Sequence, residues 1–88
     1  MNSTIPKKMR TGVITISHGA IAAHGYGNLT FAVSANPGEE LVALTPITKD
    51  PALQLTVGYQ NGWYLAYYNA YNGQAGAGEF QVRYAFAK

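Results

Sequence analysis

Eighty-eight residues allow one small domain, whose core leaves about 3–5 kcal/mol of net stability after chain entropy is met. The sequence has no cysteine, which excludes disulfides, and His18, His24, Glu39, Glu40, Asp50 and Glu79 are too few and too hard for a structural zinc site. Only 11% of residues are charged and the net charge is +2, against about 25% charged in an average soluble domain, so subunit contacts are the expected source of extra stability.

Residues 1–9 carry Pro6 and no hydrophobic period, and read as an extended basic arm ahead of a domain over 10–88. No apolar stretch of signal-peptide length follows the opening MNSTIPKKMR, and no run approaches a membrane span, so a protein made in the cytoplasm, without membrane contact, is expected. The chain then alternates with period two. Gly12–Ser17 predicts a strand with Ile14 and Ile16 inward and Thr15 and Ser17 outward. The glycine-punctuated stretch Gly19–Gly27 is either a short edge strand around Ile21 or a wide loop. Asn28–Val33 predicts a strand with Leu29, Phe31 and Val33 inward, and Asn36-Pro37-Gly38 a turn. Leu41–Thr45, apolar without alternation, predicts a strand buried on both faces and ended or bent by Pro46.

Leu53–Val57 alternates again, and Asn61-Gly62 predicts a two-residue hairpin turn with both residues at positive φ. The return strand Trp63–Asn69 divides Trp63, Leu65 and Tyr67 from Tyr64, Ala66 and Tyr68. Asn72–Gly78 lacks a side chain able to order it, so it is mobile or held by a neighbour. Phe80–Phe86 closes the chain with Phe80, Val82, Tyr84 and Phe86 inward. No stretch shows helical spacing. Five or six strands at this spacing predict an all-β fold, a small antiparallel β-sandwich or barrel.

Little in the sequence supports catalysis. Ser17 and His18 are neighbours, and adjacent strand side chains point to opposite faces. Glu39 and Glu40 sit beside a Pro-Gly turn, where carboxylates are ordinary. Gly73, Gly76 and Gly78 are followed by neither a helix start nor a lysine, so no phosphate loop is present. Neither enzyme activity nor a cofactor or metal is expected; His18 and His24 read as polar loop residues. Lys7, Lys8 and Arg10 form a basic cluster that reads first as a solvated tail and second as a contact for an acidic protein surface, with nucleic acid the lesser reading. Seven of the eleven aromatics are tyrosine. Tyr59, Tyr64, Tyr68 and Tyr71, with Asn61 and Asn69 between them and Asn72 and Gln74 following, suit either a protein interface or a glycan, where rings meet the C–H faces of sugars and amides bond hydroxyls.

Gly12-Val13-Ile14-Thr15, Leu29-Thr30-Phe31, Pro37, Val42-Ala43-Leu44-Thr45-Pro46, Asn61-Gly62-Trp63 and Val82–Ala87 together form a pattern. Over residues 10–88 it resembles the C-terminal domains of bacteriophage tail fibres and the related H-type lectin-like sandwiches. That resemblance implies a six-stranded antiparallel sandwich, assembled as a homotrimer, on a virion or in an adhesive role. Fibre tips follow a long shaft, whereas this sequence opens at Met1 with a short basic arm. The departure favours a decoration protein that docks Lys7, Lys8 and Arg10 on the major capsid protein or another virion protein and stabilises the shell. The alternative is a receptor-binding or lectin-like module that reads host-surface glycans through the tyrosine set.

Overall fold

The structure, a computed structural model, describes residues 8–88. It is all-β: β1 (Met9–His18), β2 (Tyr26–Phe31), β3 (Glu40–Ile47), β4 (Leu53–Tyr59), β5 (Trp63–Asn69) and β6 (Gly78–Ala87). The strands form two three-stranded antiparallel sheets, ordered β1-β6-β3 and β2-β5-β4. Among the described residues there is no helix, and hence none long and apolar enough to cross a membrane.

The central strands carry the core because each has hydrogen-bonded neighbours on both sides. Leu65 of β5 and Val82 of β6 are fully buried, with Phe80 and Phe86 nearly so. The cluster around Ile16, Leu65, Phe80 and Val82 takes partly buried side chains from both sheets, among them Ile14, Leu44, Leu29, Leu55 and Tyr67. Alternation thus placed the inward residues of β1, β4 and β6 correctly and separated the two faces of β5.

β3 departs from expectation. Its apolar run is not buried on both faces, because β3 is an edge strand and its register slips between Leu41 and Ala43. That bulge turns Val42 outward, 52% exposed. Pro46 does not end the strand, which continues one residue further to Ile47. It pairs in register with Val82, which an edge allows because one side of the strand needs no N–H donor. The Asn61-Gly62 hairpin forms, but Tyr59 pairs with Trp63, so the connection has three residues, Gln60 to Gly62. Asn61 and Gly62 both have positive φ, 57° and 143°. The other turn follows its sequence closely: Glu39 N donates to Asn36 O at 3.0 Å with Gly38 at φ 82°.

Three tyrosines of the central strands pair across with glycines of the edge strands: Tyr84 with Gly12, Tyr67 with Gly27, and Tyr64 with Gly58. At each glycine a Cβ would collide with the tyrosine ring. The rings therefore lie flat over bare backbone, replacing apolar cover that the glycines cannot supply.

β1 begins at Met9, which pairs with Ala87, so Met9 belongs to the sheet; of the rest of the expected arm, residues 1–7 lie outside the described residues. Arg10 lies inside β1 and not in an arm. Its guanidinium meets the Glu39 carboxylate through Nε at 2.9 Å and Nη2 at 2.7 Å, donates to Ser34 O, and sits 4.6 Å over the Phe86 ring. This fastens β1 to the connection between β2 and β3. Hydrogen bonding from Arg10, then from the Asn36 backbone, lowers the Glu39 pKa to about 2.

Gly27→Ala is expected to destabilise by about 1–3 kcal/mol through overpacking against Tyr67, although the lower chain entropy of alanine alone would stabilise. Combined with Tyr67→Ala the cost should fall below the sum, as chemical denaturation would show. A second expectation concerns pH. The Glu39 pKa is depressed in the fold, so its stabilisation is complete above the ordinary value of 4.5 and is lost as pH falls towards about 2. The difference in melting temperature between wild type and Glu39→Gln should narrow through that window.

Candidate functional site

The outward side chains of β2-β5-β4 follow from its register. Tyr26, Tyr68 and Gln54 form one row across the sheet, Asn28, Ala66 and Thr56 the next, and Thr30, Tyr64 and Gly58 the third. None of these nine is charged. On β1-β6-β3, by contrast, Arg83 and Glu79 lie on β6 opposite Val13 and Ser17.

At the hairpin end of the neutral face lies a depression of about 340 Å³, lined by Asn28, Thr30, Gln60, Asn61, Gly62 and Tyr64 with Phe31 and Trp63. Tyr64 rests over Gly58 on the β4 side, which leaves room between the ring and the β2 residues. Three aromatic rings (Phe31, Trp63 and Tyr64), three amides and the hydroxyls of Thr30 and Tyr64 thus converge from β2, β5 and the hairpin. Amides both donate and accept, and a hydroxyl does the same. Such a lining suits a ligand with many hydroxyl groups and no net charge.

The opposite end of the face is built on the loops. The Ala22–Gly25 turn, closed by Gly25 N donating to Ala22 O at 2.8 Å, holds His24 at φ 56°. His24 Nδ1 lies 3.1 Å from the Tyr68 hydroxyl and Nε2 3.0 Å from Asn72 Oδ1. With an amide oxygen as acceptor, Nε2 is assigned the proton and Nδ1 accepts from Tyr68. Tyr71 donates its hydroxyl to Asp50 Oδ1 at 2.9 Å, and that bond raises the Tyr71 pKa. Tyr26 is 82% exposed beside Tyr68.

Asn69 organises this end. It is fully buried; its Nδ2 lies 3.1–3.2 Å from the carbonyl oxygens of Ile21, Ala22 and Gly73, and its Oδ1 accepts from Tyr71 N at 2.9 Å. Ile21 and Ala75 add a single bridge with two backbone bonds. The glycine-rich loop that runs from Asn72 to β6 is therefore held by its neighbours, and the stretch from Gly19 to Gly25 is a loop with one bridge, Tyr26 and Gly27 being the start of β2.

The expected tyrosine set is thus divided. Tyr59, Asn61 and Tyr64 sit at the hairpin end, and Tyr68, Tyr71, Asn72 and Gln74 at the loop end. Tyr59 lies on the inward side of its strand at the sheet margin, edge-on to Trp63 with ring centres 4.9 Å apart, and is 64% exposed. Asn28, Thr30 and Gln60 went unread as site residues, although the polar alternation Tyr26-Asn28-Thr30 was the signal for an outward face. Of the basic cluster, Lys7 lies outside the described residues, Lys8 is exposed, and Arg10 is bound to Glu39. His18 stacks on Phe80 at 4.1 Å and its Nδ1 lies 2.8 Å from Gly19 O.

Comparison of the chain with family models, with curated proteins and with solved structures returns no match.

Proposed function

We propose that the chain is a non-enzymatic recognition module that binds an uncharged glycan on a host surface, as part of a virion's adhesive apparatus. The observation that carries this reading is the neutral depression bounded by Tyr64, Asn28, Thr30, Gln60 and Asn61. A protein hot spot is usually an apolar anchor in a dry pocket, whereas here three amides and two hydroxyls stand beside the rings of Phe31, Trp63 and Tyr64 and offer a sugar both hydrogen bonds and aromatic faces. Both histidines are engaged within the domain, His24 with Tyr68 and Asn72 and His18 with Phe80 and Gly19, which fits a positioning role better than a catalytic one. We take the two sheets as halves of a sandwich, since the core cluster draws on both. A homotrimer is the assembled form of the same reading, and three copies would turn a weak neutral contact into a firm one by avidity.

Capsid decoration is the second reading. Exposed Met9 and Val13 on the outer face of β1-β6-β3 favour it, because they offer a virion protein an apolar contact. The pairing of Arg10 with Glu39 leaves less of the basic cluster for docking.

Titration of the protein against an array of neutral glycans tests the leading reading. Tyr64→Ala should weaken binding by about tenfold or more, the cost of losing a hot-spot ring, while Tyr64→Phe keeps most of it. Affinity should change little with added salt, since no ion pair forms. Binding that collapses in salt, or that ignores Tyr64→Ala, would contradict the assignment.

A further inference from the structure

The hairpin depression is only one end of the neutral face. Tyr64 and Tyr68 point to the same side of β5, four residues and therefore about 13 Å apart, with Ala66 between them. Ala66 is flanked by Asn28 and Thr56 in the same row. The small methyl makes a low floor, the two flanking side chains supply an amide and a hydroxyl along it, and a tyrosine rises at each end. At the far end Tyr68 is doubled by Tyr26 across the strand pair, 37% and 82% exposed respectively. The Tyr68 hydroxyl is tied to His24, and His24 to Asn72, so that end is held in place without an ion. Asp50, whose carboxylate lies beside Tyr71, accepts a hydrogen bond from that residue's hydroxyl.

We propose that the whole outer face of β2-β5-β4 is one elongated site for an internal stretch of a linear, uncharged oligosaccharide, which enters at the Tyr64 depression, crosses Ala66 and ends on Tyr26 and Tyr68. This rests on the glycan reading above and narrows it. A span of about 13 Å exceeds a single sugar ring, so the site selects for chain length and not for a terminal residue. Complementarity of charge carries the choice of occupant: eight neutral side chains and Gly58 would leave a charged polymer's ions without partners, whereas hydroxyls find donors and acceptors from Tyr64 to Tyr68.

The test is calorimetric titration with neutral oligosaccharides of one linkage, graded from monosaccharide to hexasaccharide and chosen from a neutral glycan array. Affinity should rise by about tenfold or more from the monosaccharide to the longer chains. Ala66→Arg, which raises a barrier across the floor, should remove that gain, so that the hexasaccharide binds no more tightly than the monosaccharide. Tyr26→Ala, at a site too exposed to threaten folding, should reduce only the binding of the longer chains. Equal affinity for all lengths, or a length gain that survives both substitutions, would overturn the elongated site while leaving the glycan reading intact. Failure of every glycan on the array to bind would overturn both.

Discussion

The tyrosine laid across a glycine is the contact on which the rest of this structure depends. Each such pair joins a central strand to an edge strand, and each solves one difficulty of a thin domain: an edge glycine offers no side chain to pack, and a ring alone finds no room beside a Cβ. Tyr84 over Gly12 and Tyr67 over Gly27 serve the inward faces, where they extend the core towards the margins. Tyr64 over Gly58 serves the outward face. There the same packing has a different consequence, because a ring held down on the β4 side leaves space on the β2 side, and that space is the depression.

A second, polar device works at the opposite end. The loops around Ile21 and Gly73 have almost no side chains with which to order themselves, so their carbonyl groups are gathered by one buried amide, Asn69. A buried polar group is tolerable only when its hydrogen bonds are made, and Asn69 makes them on both its nitrogen and its oxygen. The result positions His24 and Tyr71 beside the tyrosine face, with the Tyr71 hydroxyl held by the Asp50 carboxylate. Together the two devices give a face whose ends are fixed and whose centre is a small residue, Ala66, with neutral polar neighbours.

Period-two alternation made most of this architecture legible in the sequence. Ile14, Ile16, Leu53, Leu55, Leu65, Phe80 and Val82 point where their spacing put them, because one buried face selects their parity. β3 misled because an apolar run reads alike in a buried strand and in a bulged edge strand; Val42 is turned out by a register slip that hydrophobicity does not encode. The hairpin was found but not its length, since Gln60 carries no mark that separates it from the strand. Half of the candidate site was visible as Tyr64, Asn61 and Tyr68. The other half, Asn28 and Thr30, lies more than thirty residues away in the chain, and only the pairing of β2 with β5 brings it alongside. Arg10 was read as part of a basic arm because its partner, Glu39, is twenty-nine residues distant.

The central claim is that recognition belongs to the neutral face of β2-β5-β4. Amide chemical-shift mapping by nuclear magnetic resonance, during titration with a neutral oligosaccharide that binds, tests it most directly. The account predicts shifts concentrated at Asn28, Thr30, Asn61, Tyr64, Ala66 and Tyr68. Shifts concentrated instead on Thr11, Val13, Arg83 and Ala85 of the other sheet would contradict it.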